Sequence, residues 1–350
     1  MGILRFPNPG SDIRRFISTF STIYRELQGK KNFTHDDTRD AVVRHGLASS
    51  SGAIGAEAIK RSTNENRSLD PLFNQLKMYS ELYRMLGWLQ PGTMNTNFNF
   101  TELSPYVANS SSELQNRIFE ECLLAIVFPN PHLENRSGNH IRPFPIILRL
   151  LQSLDNTLLR DELIVSVYPL HSDNDPTTIK HLSAYIKGIR GDSTKLKAEL
   201  EKLSNKNHIM VGSLQNYTRF PLGSLKHTDW AEARTIRTIY EKPIKGLCLK
   251  KKGIEKANQI SKLIDVRNHD IQDFSLSLRA SFTLFTHYVF LKNCGFPIPP
   301  ELITRWETAS KPILEKLNIS VPEQILYSPM QQSTLKEIAY ANELDQKENA

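Results

Sequence analysis

The chain has 350 residues, of which 39% are hydrophobic and 23% charged, so it carries enough apolar material for packed cores and wholesale disorder is excluded. Lys and Arg number 44 against 37 for Asp and Glu, and the net charge of +7 favours a polyanionic partner such as nucleic acid. The three cysteines, Cys122, Cys248 and Cys294, are far apart, which argues against a disulfide framework and a cysteine-based zinc site.

The first ten residues, MGILRFPNPG, contain two prolines where an export signal would need a continuous apolar run. Because the sequence has no stretch of about 18 consecutive apolar residues, we expect no membrane span. The sequence therefore predicts a cytoplasmic protein.

The first elements in the chain are helices. Apolar residues recur at three- and four-residue steps from Ile13 to Leu27, which predicts an amphipathic helix. Thr34, with Asp37 three residues later, has the spacing of an N-cap with an acidic first turn and predicts a short helix ending at Gly46. The segment AEAIKRS, residues 56–62, predicts another short helix.

A longer helix and a hairpin follow. Asp70-Pro71 predicts the start of a helix over 70–86, since proline suits the first helical position. The turn Pro91-Gly92 then leads into residues 97–101, whose alternation predicts the return strand of a hairpin. Three helices followed by a two-stranded ribbon are typical of a winged helix-turn-helix.

The pattern recurs further along the chain. Helices are predicted over 118–128, 144–154, 158–170 and after Pro176, and the Lys/Glu-rich segment 193–207 reads as a surface helix or a long insertion. Thr228-Asp229 predicts the N-cap of a helix over 228–240. A short strand at 246–249 and a helix from Lys252 complete this second winged-helix pattern.

From Phe274 onward the chain changes character. Residues 274–296 are apolar around the whole circumference of a helix and predict a buried one, and the charged tail 333–350 predicts a helix as well. The fold class expected is mainly α, with tandem winged helix-turn-helix subdomains, small β-wings and a helical C-terminal module. The predicted domains are an N-terminal helix (1–32), two winged-helix subdomains (33–140 and 141–268) and the C-terminal module (269–350).

The strongest functional signal is a lysine cluster. Residues 242–262 contain seven lysines against one acidic residue, Glu255. Cations on a wing can reach the phosphates beside a DNA groove, so the candidate phosphate contacts are Lys245, Lys250, Lys251 and Lys252. The alternative is a solvated hairpin that binds nothing.

The predicted helices 70–86 and 228–240 are candidates for entry into the major groove. Arg, Asn and Gln can form paired hydrogen bonds with guanine or adenine edges. The polar residues off the apolar stripe are the candidate base contacts: Asn74, Gln75, Lys77 and Arg84 on the first helix, and Arg234, Thr235, Arg237 and Thr238 on the second. The alternative is ordinary solvated helix surface.

The sequence offers no catalytic residues and no metal ligands. Asp345-Gln346-Lys347 has the Asp-x-Lys spacing of some nucleases, but it lies in a polar, helical tail without an upstream acidic partner on a strand. No zinc-spaced His/Cys set and no phosphate-binding glycine loop is present. We therefore expect no cofactor in this chain, with Mg²⁺ required only by an associated nuclease.

Four segments together resemble the DNA-recognition region of type IIS restriction endonucleases of the FokI kind and of AlwI-like nicking enzymes. They are YSELYRMLGWLQPG (79–92), FNFTELSPYVA (98–108), NRIFEECLLAIVFPNP (116–131) and IRPFPIILRLLQSLDNTLLRDELIVSVYPL (141–170). The likeness covers residues 70–265. Leu103-Ser104-Pro105 stands where the wing-exit glycine is usual, and no catalytic domain follows the recognition region as it does in those enzymes.

The sequence thus predicts specific binding of double-stranded DNA, as the recognition domain or subunit of a type II restriction system. Its nuclease would be a separate domain or polypeptide, so we lean against an enzyme activity of this chain alone. Two alternatives stay open at this point. One is a winged-helix transcriptional regulator whose C-terminal helices dimerise, and the other is an adaptor whose winged helices contact proteins.

Overall fold

The computed structural model describes residues 3–8, 10, 12–50, 52–62, 69–90, 97–128, 139–236, 244–326 and 335–348. Over these residues the protein is mainly helical, as the sequence predicts. The chain divides into two units. Unit 1 comprises Met1–Phe16, Val127–Pro129 and Glu134–Ser261, and unit 2 comprises Ile17–Ile126, Asn130–Leu133 and Lys262–Ala350. The domain boundaries expected from the sequence stay predictions.

The elements are numbered in chain order. The helices are α1 (Ile13–Leu27), α2 (His35–Arg44), α3 (Ala56–Lys60), α4 (Pro71–Met85), α5 (Ser104–Asn109), α6 (Ser112–Ala125), α7 (Pro143–Ser153), α8 (Arg160–Ser166), α9 (Thr178–Ile189), α10 (Ser193–Asn207), α11 (Val211–Tyr217), α12 (Arg219–His227), α13 (Lys251–Ile260), α14 (Asn268–Ile271), α15 (Leu276–Cys294), α16 (Pro300–Ala309), α17 (Lys311–Lys316) and α18 (Leu335–Glu348). The strands are β1 (Ser49–Ser50), β2 (Ala53–Ile54), β3 (Thr157–Leu159), β4 (Ala231–Ile236), β5 (Ile244–Leu249), β6 (Ile264–Asp265) and β7 (Ile325–Leu326).

Unit 1 contains a three-stranded antiparallel sheet in which β5 lies between β3 and β4. The hairpin of β4 and β5 pairs Ala231 with Leu249 at its base and Ile236 with Ile244 near its turn. Helix α7 packs against α9 and α13, and α8 packs against β3, β5 and the helices α9, α10 and α11. In the sequence, helices α10, α11 and α12 lie between α9 and the hairpin.

Two apolar clusters hold unit 1 together. One is aromatic, with Phe6 lying 5.6 Å from Phe128, 6.0 Å from Phe144 and 5.8 Å from Phe220 between ring centroids. The other is aliphatic and joins the N-terminal segment to the helices; its buried members are Ile3, Leu159, Ile164, Val165, Ile189, Leu196, Leu200 and Leu214. Burying such side chains contributes roughly 1.5–3 kcal/mol each, so these clusters fix the helices that border the sheet.

The helix predicted over 228–240 is wrong over 228–236, because Ala231–Ile236 form strand β4. Residues 237–240 lie outside the described residues. Thr228 is the C-cap of α12, and Asp229 has a positive φ of 61°, which ends the helix before Trp230. The prediction for 158–170 also needs correction at its start. Leu158 and Leu159 belong to β3 and pair with β5, and α8 begins only at Arg160.

Unit 2 begins with helices whose caps match the sequence patterns. Thr34 Oγ1 accepts a hydrogen bond from Asp37 N at 3.3 Å, and the Asp37 carboxylate accepts one from Thr34 N at 2.8 Å, so the predicted cap is a complete capping box. Asp70 caps α4 by accepting from Leu72 N at 2.9 Å and Phe73 N at 3.1 Å. Both predicted helix starts are confirmed.

The return strand predicted over 97–101 is present only as isolated antiparallel bridges. Leu89 pairs with Phe100, and Phe33 pairs with Phe98. The turn at Pro91-Gly92 lies outside the described residues. The aromatic ring of Phe20 lies 4.8 Å from that of Tyr83 and 4.9 Å from that of Trp88, which places the end of α4 in the core of unit 2.

The C-terminal part of unit 2 surrounds helix α15, which is buried over most of its length as its apolar circumference predicts. Helices α6, α16 and α18 pack against it. The short strands β6 and β7 pair in parallel through Ile264 with Ile325 and Asp265 with Leu326. Among the described helices, none has the length and apolar character needed to cross a membrane.

Candidate nucleic-acid interface

The β4–β5 hairpin carries two of the residues that we expected on a helix. Arg234 and Thr235 are both exposed, but as neighbours on a strand they point to opposite faces of the sheet and share no common surface. Arg234 lies opposite Gly246, and its Nη1 donates to Cys248 Sγ at 3.7 Å. Lys245 lies opposite Thr235 in the register. Arg237 and Thr238 lie outside the described residues.

Three consecutive lysines occupy the corner where β5 ends and α13 begins, which is the base of the hairpin. Lys250 is the N-cap residue of α13, and its backbone N donates to Trp230 O at 3.0 Å. Its side chain pairs with Asp229, and this hydrogen bond raises the pKa of Lys250. Lys252 Nζ donates to Thr228 O at 3.0 Å. Two of the three ammonium groups are therefore oriented by the protein.

Lys251 differs from its two neighbours. Its side chain is 93% exposed, and the nearest carboxylate oxygen, on Glu255, is 4.0 Å away. A solvent-exposed pair at this distance contributes little to stability, so Lys251 can exchange Glu255 for a phosphate at little cost. We call Lys250, Lys251 and Lys252 the corner lysines.

Further cations lie beside the corner lysines in unit 1. Burial lowers the pKa of His227, and the positive charges of Arg14 and Lys252 lower it further, while Asp12 opposes this. Lys256 Nζ lies 5.9 Å from the ring centre of Trp230. Burial is the main cause of the lowered pKa of His227, and the smaller electrostatic causes place the charges of Arg14 and Lys252 near this side chain.

Helix α4 of unit 2 presents fewer candidate DNA-binding side chains at the surface than the sequence predicts. The prediction that Arg84 lies at the surface is wrong, because this residue is 1% exposed. Its guanidinium group lies 4.6 Å from the ring centre of Phe98, and its Nη2 donates a hydrogen bond to Asn97 O at 3.3 Å. Burial lowers its pKa. Its polar head extends from the C-terminal turn of α4 toward the returning chain, so it fastens the hairpin return to the helix and is not available to DNA.

The remaining α4 residues lie at the surface. Asn74 and Gln75 are half-buried, and Lys77 is exposed. Gln75 Nε2 donates to the hydroxyl of Tyr79 at 3.2 Å. Burial raises the pKa of Glu81, which lies one turn from Lys77 on the same helix. This face of α4 therefore carries opposite charges and is a weaker anion site than the corner of unit 1.

The sequence interpretation missed a cleft in unit 1. It has a volume of about 640 Å³ and lies between the start of α8 and the pair α11 and α12. Its lining residues are Arg160, Met210, Gly212, Ser213, Gln215, Asn216, Thr218, Arg219, Leu222, Gly223 and Lys226. The signal that could have found it is the spacing of Arg219, Leu222 and Lys226, which places them on one face of a helix.

No group of three or more His, Cys, Asp or Glu side chains with the arrangement of a metal site occurs among the described residues. Tyr288 donates its hydroxyl to Asp345 Oδ1 at 2.5 Å in unit 2. Asp345 therefore binds a tyrosine of helix α15 on the inner side of α18. Asp345 belongs to the Asp-x-Lys tripeptide considered above, and its contact is structural.

Comparison with known protein families and with curated proteins gives no match to this chain.

Proposed function

We propose that this chain binds double-stranded DNA through unit 1, and that unit 1 is a winged helix. The observation that carries the proposal is the order of its elements: α7, β3, α8, α9, then β4 and β5, with β5 in the middle of an antiparallel sheet. Winged helices have this strand order, in which the hairpin forms the wing and the first short strand completes the sheet. Helices α10, α11 and α12 are an insertion before the wing.

The charges around the hairpin support a polyanionic partner. Arg234 is exposed on β4, and Lys251 is almost fully exposed at the base of the hairpin. Cations held on a sheet corner can contact successive phosphates, and such contacts supply most of the sequence-independent affinity for DNA. The side chains of Arg14 and Lys252, whose charges act on His227, add two further cations to this part of unit 1.

The biological role that we propose is recognition of a specific site in a restriction-type system, with cleavage by a separate nuclease domain or subunit that binds Mg²⁺. The resemblance of residues 70–265 to type IIS recognition regions supports this role. A transcriptional regulator predicts a different complex, namely a dimer on a palindrome. A monomer on an asymmetric site supports restriction-type recognition.

The first experiment measures binding of the full chain to labelled duplexes from about 50 to 200 mM salt. We expect affinity to fall steeply with salt, and replacing the three corner lysines by Gln should weaken binding to all duplexes and reduce the salt slope by about 0.9 per lost phosphate contact. The matched control is K197Q/K202Q on α10, whose side chains are 78% and 74% exposed. Absence of binding to any duplex at low salt would contradict the proposal and favour the protein-contact adaptor.

The second experiment selects bound duplexes from a random pool and measures the stoichiometry of the complex. One chain on an asymmetric site is the result expected for restriction-type recognition. Two chains on a palindrome would replace that role by transcriptional regulation, while DNA binding itself would stand.

A further inference from the structure

We propose that the cleft formed by α8, α11 and α12 is a second DNA-backbone site of unit 1, and that α12 is the helix that lies along the duplex. This inference rests on the proposed function, because it names where DNA contacts unit 1 beyond the wing. It also replaces the predicted helix 228–240, whose residues Ala231–Ile236 form strand β4, as the DNA-facing helix of this unit.

The cleft is cationic. Arg160, Arg219 and Lys226 line it, and none of its lining residues is acidic. Arg160 Nε lies 2.9 Å from Asp161 Oδ1, and this carboxylate also accepts a hydrogen bond from Gln215 Nε2 at 3.3 Å. Asp161 therefore compensates part of one positive charge at the rim and leaves the charges on α12.

Arg219 and Lys226 are both exposed, and neither lies within ion-pair distance of any carboxylate in the part of the chain that the structure describes. Seven residues at a rise of 1.5 Å separate them by about 10 Å along the axis of α12. That distance matches roughly three nucleotides of one DNA strand at about 3.4 Å per nucleotide. The two cations are therefore spaced to contact phosphates along one strand.

The cleft between these cations suits a backbone with attached bases. Asn216 and Gln215 carry side-chain amides, which both donate and accept hydrogen bonds. Met210 is 77% exposed and adds an apolar surface to the lining of the cleft. A polyanion with sugar and base surfaces fits this combination of cations, amides and apolar groups better than a free inorganic anion does.

The opposite face of α12 is fixed in the core of unit 1. Phe220 and Leu225 are fully buried, and the ring of Phe220 lies 6.2 Å from Phe16 and 6.3 Å from Phe144. Because α12 is held by this packing, its exposed cations are presented from a rigid support, which lowers the entropic cost of binding.

The cleft and the corner lysines are linked through the end of α12. Lys226 lies two residues before Thr228, whose carbonyl oxygen accepts the hydrogen bond from Lys252 at 3.0 Å. His227, between them, lies near the charges of Arg14 and Lys252. The cations Arg219, Lys226 and Lys252 therefore follow α12 from its start to the residue after its end.

The test compares R219Q/K226Q with the control K197Q/K202Q in the full chain, using a labelled mixed-sequence duplex of about 30 base pairs, or three helical turns. We expect the double variant to bind roughly tenfold more weakly at low salt and its salt slope to fall by about 1.8, at 0.9 per phosphate. Circular dichroism and thermal unfolding should match the unmodified chain, because both side chains are exposed.

These measurements distinguish failure of the cleft assignment from failure of the proposed function. If R219Q/K226Q binds duplex as tightly as K197Q/K202Q while loss of the corner lysines weakens binding, the cleft assignment is overturned and the proposed function stands. If the unmodified chain binds no duplex at low salt, both are overturned. A single-stranded oligonucleotide of the same length tests the ligand: binding tighter than to the duplex would overturn the assignment to duplex DNA.

Discussion

Glu162 has a fully buried side chain in unit 1, and its carboxylate binds the last residue of β3 and the residue that ends α9. One carboxylate oxygen accepts from Leu159 N at 2.9 Å, and both accept from Arg190, at 2.9 and 2.8 Å. Arg190 Nη2 also donates to Thr157 O at 2.8 Å. The hydrogen bond with Glu162 raises the pKa of Arg190. This pair therefore ties the end of α9 to the edge strand of the sheet.

Removing Arg190 leaves a buried carboxylate without its counterion. We expect Arg190→Ala to destabilise unit 1 by about 3–5 kcal/mol, the range for breaking one side of a buried ion pair. The control is Arg149→Ala at an exposed position of α7, expected within about 0.5 kcal/mol of the unmodified chain. Native-state hydrogen exchange of β5 amides measures both. Equal protection in the two variants would contradict the role given to the pair.

His35 makes the stability of unit 2 depend on pH. Burial, followed by the charges of Arg84 and Lys77, lowers the pKa of His35 to about 4. Because the unfolded chain has a histidine pKa of about 6.5, it binds more protons at mildly acidic pH, so acidification favours unfolding. The stability that the buried, neutral His35 contributes is fully present above about pH 6.5 and is lost as the pH falls to about 4.

For His35 alone, this effect lowers the free energy of unfolding by about 2 kcal/mol when the pH falls from 7 to 5. We expect the variant His35→Gln to lose that part of the pH dependence and to keep the part due to His287, a second buried histidine with a pKa of about 4. Urea unfolding at the two pH values measures the difference. The same pH dependence in both proteins would show that His35 does not titrate between the folded and unfolded states as expected.

At the scale of elements, helix α13 approaches the backbone of the hairpin more closely than any side chain would allow. A Cβ added at Gly253 would lie 2.0 Å from Trp230 O, the same carbonyl that accepts from Lys250 N. The absence of a side chain at this one position therefore allows the corner lysines to sit at the base of the hairpin.

We expect Gly253→Ala to destabilise unit 1 by about 1–3 kcal/mol through overpacking, even though Ala is favoured over Gly in helices by about 1 kcal/mol. The matched control is Gly188→Ala in α9, where an added Cβ meets nothing within 4 Å and should stabilise slightly. Thermal unfolding compares them. A Gly253→Ala protein as stable as Gly188→Ala would rule out the close contact.

The caps of α2 and α4 could be predicted because they depend on residues close in sequence. Thr34 with Asp37, and Asp70 with Pro71, determine local hydrogen bonds whatever lies elsewhere in the chain. Strand β4 could not be predicted in this way, since its conformation depends on pairing with β5. The β-branched residues Thr235 and Ile236 were the available signal, and helical spacing of apolar residues outweighed it.

The candidate site, like the fold, could be predicted from the sequence only where it depends on residues close together in the chain. The lysine cluster was visible as composition, but its position at the base of the hairpin depends on the fold of the sheet. Arg84 is expected at the surface because it lies off the apolar stripe of the predicted helix 70–86. Its burial depends on Phe98 and Asn97, which the returning chain brings to α4. The cleft along α12 depends on three helices and was not visible in any one of them.

At the scale of the whole molecule, unit 2 is assembled from segments separated by unit 1 in the sequence. Tyr106 of α5 packs edge-on against Phe296 at 4.9 Å between ring centroids, and α6 packs against α15. We expect a chain ending at Ser261 to retain protected amides in α7 and to lose protection in α6, as measured by hydrogen exchange. Unchanged protection of α6 in that shortened chain would show that residues 17–126 fold without the second segment.

The discontinuity of unit 2 also has a consequence for synthesis on the ribosome. All of unit 1 has been translated at Ser261, whereas residues 262–350 take roughly 5–20 s more at about 5–20 residues per second. At Ser261, helices α5 and α6 have been made, but the apolar helix α15 that packs against α6 is completed only at Cys294, roughly 2–7 s later. Chaperones that bind nascent chains would therefore find their target in the first half of unit 2, while unit 1 is already able to fold.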